Sequence, residues 1–412
     1  MLVASVVLLA LAVAGAVLRP GGIPGWTAPV VAAGVEIAAG IISPAGAATA
    51  LGPLAPALGF LLAAVPLAVL LDGLGFFESL AGLVSRGRHM VGWAWVLGAL
   101  VTAVLNLDAA VVLLTPLYIR IARRTGISPL TLAFQPVLLA MLASSALPVS
   151  NLTNLIAVGH TGASPVDFLV NLGPPSLVAT AAGYWCYRRV LRPGIPSPVQ
   201  VVESEARPLV VGGVVVAGVL VGFLAGPGYG VAPWMVATGA DLVLILLGTP
   251  YAHKWPAVGP PGSGSLRAGV FAIPWGTALL AAGLAVLAST VSTRLPVASL
   301  IHGSGPAALA RTVGIASLAA NGVNNLPAVL VAIPALPAHA TSALWAVLLG
   351  VNMGPVVLAT GALASLLWLE TLGKMGVGAT ARDFSRVGVR VGLVPLVLAT
   401  GVLIGLAQLI GH

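Results

Sequence analysis

Residues Val91 to Ile121 read VGWAWVLGALVTAVLNLDAAVVLLTPLYIRI, and both ends are basic: His89 precedes the run, and Arg120, Arg123 and Arg124 close it. A single bilayer crossing needs only ~20 apolar residues. The run is far longer than that, and one crossing would leave one basic end outside, against the bias of Lys and Arg toward the cytoplasm. The consistent reading is a re-entrant hairpin over about residues 91–121, entering and leaving on the cytoplasmic side. Its turn falls at Asn106-Leu107-Asp108. An ionised side chain at the centre of a membrane helix costs about 2.5 to 3.5 kcal/mol on insertion scales, so Asp108 marks function.

The remainder of the chain has the composition such a hairpin needs. Of 412 residues, 59% are hydrophobic and 7% charged, and the mean hydropathy is +1.09. A water-facing surface cannot be built from so few polar groups, so the chain reads as an all-α polytopic membrane protein of the cell (plasma) membrane. The net charge of +8 sits in short clusters between apolar runs, which records topology and argues against nucleic acid as a partner. Cys186 is the single cysteine, which excludes an internal disulfide or a cysteine metal cluster. No metal or cofactor is expected. Met1 to Leu18 lacks a basic n-region and a small-residue cleavage site, so it reads as a span and not as a signal peptide.

Taken in order, three spans (Leu2–Leu18, Thr27–Ile42, Leu54–Leu71) lead to an amphipathic interfacial stretch, Phe76–Arg88, and then to the hairpin. Next comes a broken helix over about 130–158, with Pro148 and the polar run SNLTN at Ser150–Asn154 as its unwound part. Proline removes a donor, and Asn, Ser and Thr compete for backbone hydrogen bonds. A last span, Val166–Arg188, completes residues 1–190, and a Pro-rich cytoplasmic linker follows at 191–208.

Residues 209–412 repeat the order. Spans at Leu209–Ala225, Val231–Leu247 and Ala268–Val291 flank a Pro/Gly loop at Gly248–Arg267. A short interfacial stretch follows at Leu295–Arg311, then a hairpin over about 312–337 turning at Asn321–Asn325. A broken helix over about 340–372, interrupted at Asn352-Met353-Gly354-Pro355, leads to the final span. Five crossings and one hairpin per half predict two inverted repeats, with both termini outside. Asn106 precedes Pro116 by ten residues and Asn324 precedes Pro334 by ten.

Two hairpin tips and two unwound helices related by inversion would meet near the midplane, where secondary transporters bind solute. The expected substrate-binding set is Asn106, Asp108, Asn151, Thr153, Asn154, Asn324, Asn325 and Asn352. Amides, one hydroxyl and one carboxylate suit a small neutral solute or a cation, since no basic group lies at a tip. Asp108 can serve as the proton-coupling acid, as the N-cap of the second hairpin limb, or as both. Glu36, Asp72, Asp167 and Asp241 read as capping or interface residues, His160 as an exposed loop residue, and the tryptophans, such as Trp93, Trp95, Trp234 and Trp255, as interface markers. Enzyme signatures such as H-E-x-x-H and G-x-S-x-G are absent from the sequence, and the chain reads as a transporter and not an enzyme.

Five blocks in order carry a resemblance: LLDGLGFFESLAGLVSR (Leu70–Arg86), LDAAVVLLTP (Leu107–Pro116), LPVSNLTNLI (Leu147–Ile156), NNLPAVLV (Asn324–Val331) and GPVVLATGALASLLWL (Gly354–Leu369). The chain resembles the arsenite efflux permeases, the arsenical pump membrane proteins of the ion transporter superfamily. The resemblance implies a homodimer whose transport domain moves against a scaffold. It also implies export of arsenite or antimonite against protons, alone or with a soluble partner ATPase. Related branches carry silicic acid, citrate and dicarboxylates. This sequence has Leu107 where the family has Asn before Asp108, and Asn352 near the place of a family Asp. The Ser-Asn-Thr signature of sodium-dependent carriers is missing from both tips.

Overall fold

Continuous apolar segments satisfy their peptide groups in a bilayer as helices, since the strands of a membrane barrel alternate apolar and polar residues, and the computed structural model is helical, with no strand among the described residues. It describes residues 2–84, 89–194, 206–248 and 273–410. The linker expected at 191–208 and the loop at Gly248–Arg267 fall largely outside these, as do Arg86, Arg88 and Trp255.

Helices α1 (Leu2–Leu18), α2 (Thr27–Ala38), α3 (Pro44–Leu51), α4 (Ala55–Gly73) and α5 (Phe76–Val84) open the chain. Then come α6 (Met90–Leu105), α7 (Leu107–Thr125), α8 (Pro129–Leu142), α9 (Leu152–Thr161), α10 (Pro165–Asn171) and α11 (Gly173–Leu191). The later part holds α12 (Ala206–Ala225), α13 (Pro233–Gly248), α14 (Trp275–Ser292), α15 (Val297–Leu300) and α16 (Pro306–Val323). It ends with α17 (Asn325–Ala332), α18 (Ser342–Met353), α19 (Leu363–Lys374) and α20 (Ala381–Ile410). Among the described residues, four helical stretches are long and apolar enough to cross a membrane by length and composition: Pro44–Gly73, Ala206–Tyr229, Trp275–Ser292 and Ala381–Ile410. Their outward faces stay apolar, with Val210, Val214, Val221, Val397 and Leu409 all exposed, as a lipid-facing surface requires.

Packing is reciprocal between early and late helices. α4 lies on α13 and α2 on α14; α11 lies along α20. Deeper inside, α7 packs on α8 and α19, while α17 packs on α9 and α14. α18 approaches α16 through Gly350 and Gly354: a Cβ on Gly350 would stand 2.6 Å from the Val313 carbonyl oxygen, and one on Gly354 would stand 2.6 Å from Ser317 Cα. This is the small-xxx-small device that lets membrane helices touch backbone to backbone.

Several boundaries differ from the sequence reading. The first broken helix opens earlier than SNLTN, over Ala143–Asn151, and Leu152, Thr153 and Asn154 are already helical. The Pro148–Ser150 turn is a short 3-10 segment that ends at extended Asn151, so the proline starts the turn and does not break a running helix. In the second broken helix Asn352 stays inside α18. The chain leaves helical geometry only beyond Gly354–Val356, and α19 begins after extended Ala362. Asn321, Gly322 and Val323 remain in α16, leaving one residue, Asn324, as the turn. Arg311 is likewise inside α16, so the interfacial piece shrinks to α15. Three tryptophans face inward: Trp95 donates to the Thr180 carbonyl (3.1 Å), Trp368 to the Ala133 carbonyl (2.7 Å), and Trp345 packs edge-on to Phe168. Their ring N–H groups and large apolar faces are better used in the core than at an interface.

Candidate functional site

Each helix pair at a hairpin position is joined by a single asparagine with a backbone that side-chain-bearing residues rarely adopt. Asn106, between α6 and α7, has φ 124° and ψ 146°; Asn324, between α16 and α17, has φ 80° and ψ 152°. This region is essentially reserved for glycine and costs on the order of 1–3 kcal/mol. Asparagine is tolerated because its short amide turns back on the chain. Asn106 Oδ1 accepts from the Asp108 amide at 2.8 Å, and Asn324 Oδ1 accepts from the Leu326 amide at 3.3 Å. The N-cap that Asp108 was expected to supply therefore belongs to Asn106. Asp108 lies in the first turn of α7, where the exposed amides of a helix N-terminus favour a carboxylate. Its Oδ1 is buried and has no hydrogen-bond partner.

The first break is closed by a buried network that reaches across the chain. Asn352 Oδ1 accepts from Asn151 Nδ2 (3.0 Å) and from the Thr153 hydroxyl (2.6 Å). Asn352 Nδ2 donates to Asn154 Oδ1 (2.7 Å) and to Ser145 Oγ (3.3 Å). Asn154 Nδ2 donates to the Ser144 and Leu147 carbonyls, both at 2.9 Å, and Asn151 Oδ1 caps α9 through the Thr153 amide (3.2 Å). The Ser150 hydroxyl ties the break to α6 through the Ala103 carbonyl (2.7 Å). Four of the eight expected site residues thus meet in one cluster. Its amides are largely spent on each other, which rigidifies the break.

The second break is held from the second hairpin, in its own half of the chain. Asn321 Nδ2 donates to the Ser317 and Gly354 carbonyls, both at 2.8 Å, and its Oδ1 accepts from the Leu358 amide at 2.9 Å. Asn324 Nδ2 donates to the Thr360 carbonyl (3.0 Å), and Asn325 is buried at the start of α17. Asn106 and Asp108, at the first tip, share no direct hydrogen bond with the Asn352 cluster. The sequence reading passed over Ser144 and Ser145, and it placed Ser150 in the unwound run and Asn321 in the second turn without assigning either to the site. Small polar residues inside an apolar run were the available signal.

Three helices, α7, α9 and α17, therefore start at asparagine-capped breaks with buried first residues. Helix N-termini present free amides and partial positive charge to a polar solute. No group of three His, Cys, Asp or Glu that could hold a metal occurs among the described residues. Of the secondary acids, Asp167 forms a capping box with Ser164, as expected of a cap. His160 is half-buried in the last turn of α9, 3.2 Å from the Leu336 carbonyl, and is not an exposed loop residue.

Broken helices, strained asparagine turns and buried helix starts in an all-helical body are features that secondary transporters share, and the chain's family and relatives make it a secondary membrane transporter, multi-pass and not an enzyme. The chain matches the citrate transporter family (CitMHS) over residues 1–361 and belongs to it. An arsenical pump membrane protein of Yersinia enterocolitica is 27% identical over 407 residues, covering 91% of this chain and 92% of that protein. One from Escherichia coli (strain K12) is 26% identical over 397 residues, 89% of each chain. A 46 kDa membrane protein of Mycobacterium leprae is 25% identical over 328 residues, 73% of each chain. The resemblance drawn from the five blocks extends over nearly the whole chain.

Proposed function

We propose that this protein exports arsenite or antimonite in exchange for protons, with Asp108 as the coupling acid. The observation that carries the reading is Asp108 itself: a carboxyl in the first turn of a buried helix start, with one oxygen buried and unpartnered. A group so placed can take up and release a proton as its surroundings change. The solute site is assigned to the two tips and the adjacent helix ends, Asn106, Asp108, Asn324 and Asn325, with Asn151, Thr153, Asn154 and Asn352 holding the break beside them. Arsenite is an uncharged trihydroxide near neutral pH, and amide and helix-end donors recognise hydroxyls without the thiolates that would trap it. Reciprocal packing and the matched turns at Asn106 and Asn324 support two inverted repeats, 1–190 and 209–412. The functional unit is a homodimer, able to work with a soluble partner ATPase.

The family's name favours an organic anion as the second reading. Against it, residues 105–109, 143–154, 321–326 and 350–363 contain no Lys, Arg or His to pair with carboxylates. Everted membrane vesicles separate the cases. Arsenite uptake should follow an imposed pH gradient, ignore a sodium gradient, and vanish in Asp108→Asn while the variant still inserts. Equal uptake by Asp108→Asn, or indifference to pH, defeats the coupling role; uptake of citrate or silicic acid in place of arsenite defeats the solute.

A further inference from the structure

Two helices share a short register that the transport site does not use: Ala32-Ala33-Gly34-Val35-Glu36-Ile37 in α2 and Ala237-Thr238-Gly239-Ala240-Asp241-Leu242 in α13. Each places an acid against a later or earlier helix, α2 on α14 and α13 on α4. The first joint is closed. Glu36 is fully buried, the Thr290 hydroxyl lies 2.9 and 3.1 Å from its two carboxylate oxygens, and Arg294, one turn on, donates to Ser5 Oγ (3.0 Å) and the Thr290 carbonyl (3.3 Å). The second joint is open. Asp241 is 9% exposed, its Oδ1 has no hydrogen-bond partner, and it lines a cavity of about 270 Å³ whose other wall is Gly59, Leu62, Ala63, Pro66 and Leu70 of α4.

The chemistry of this cavity narrows its occupant. A lone carboxyl beside an apolar wall offers anions and phosphate headgroups no cation to pair with. Hard metal cations take six or more oxygens, and among the described residues the side chains lining the cavity offer only Asp241 and the Thr238 hydroxyl, which itself donates to the Trp234 carbonyl (2.8 Å). Pro66 has no amide to give the Leu62 carbonyl, so the lining turn of α4 also carries a backbone acceptor without its helical donor. Acceptors, an unpaired carboxyl that a cation would hold ionised, and apolar walls complement an ammonium group on an apolar body. The volume is just under the ~300 Å³ at which drug-sized pockets begin. Leu242 and Leu246, on the same helix, are 57% and 73% exposed, which sets the cavity beside the lipid-facing surface.

We propose that the groove between α4 and α13 binds a small amphiphilic organic ammonium, held by Asp241. The site is separate from Asp108 and from the asparagine breaks. It is tested with the full-length protein in nanodiscs, titrating a fluorinated phenylbutylammonium by fluorine NMR, with empty nanodiscs and fluorinated phenylbutanol as references. The ammonium should bind saturably and the alcohol should not. Asp241→Asn should weaken binding on the order of 30-fold, as for removal of one member of a desolvated charge pair. Ala63→Phe, which fills the cavity and keeps the acid, should abolish it. Wild-type affinity in Asp241→Asn or in Ala63→Phe, equal binding of the alcohol, or no saturable binding beyond empty nanodiscs overturns the assignment.

Discussion

The two hairpin tips have nearly the same backbone and different chemistry. Each turns at one asparagine of positive φ that caps the following helix with its own side chain. At the first tip the residue two places on is Asp108, and a 19-residue helix stands behind it; at the second it is Leu326, and the helix behind runs only 8 residues. Asn106 is 1% exposed, whereas Asn324 is half-buried and ties to the second break through the Thr360 carbonyl. Shape is therefore shared between the tips. A titratable group is present in one alone.

Making the first tip like the second is the sharpest way to break this comparison. Asp108→Leu should reduce pH-driven arsenite uptake to the level of vesicles lacking the protein. Because it removes a buried unpartnered carboxyl, it should leave thermal unfolding in detergent unchanged or raise stability by about 1 kcal/mol. A fall in both would mean that Asp108 shapes the tip. Next in size is Asn352→Leu, which strands Asn151, Thr153 and Asn154 together and should cost about 3 kcal/mol or more in the same unfolding assay. A small cost there would mean the cluster is open to solute and not a structural tie.

Smaller effects separate strain from capping. Asn106→Ala loses the cap and keeps the strained φ, so it should destabilise by about 1 kcal/mol; Asn106→Gly relieves the strain and should be neutral or stabilising by about 1 kcal/mol. At Asn324 the same glycine change should recover less, by about 0.5–1 kcal/mol, since the bond to the Thr360 carbonyl goes with the side chain. Equal behaviour of the two glycine variants in thermal unfolding would remove that distinction.

The helices, the two asparagine turns and the breaks that follow them were legible in the sequence because apolar run length and isolated amides act locally. The exact breakpoints were not. SNLTN contains the polar atoms, but its helix starts at Leu152 because the Asn151 side chain caps it, and Asn352 stays helical because α18 is pressed against α16 at Gly350 and Gly354. Asp108 read as a cap because aspartate caps well in general. The preceding Asn106 held that geometry already.

Sequence alone sufficed for the membrane class, the all-helical architecture and the isolation of Asp108 among apolar neighbours, since composition and periodicity decide whether peptide groups must be satisfied internally. Which amides meet was a matter of tertiary contact. Asn352 finds Asn151 across some two hundred positions, and no local pattern encodes that distance. The same holds for the two scaffold acids: their registers match in the chain, but only the helix packed opposite, bearing Thr290 in one case and Pro66 in the other, leaves Glu36 sealed and Asp241 open.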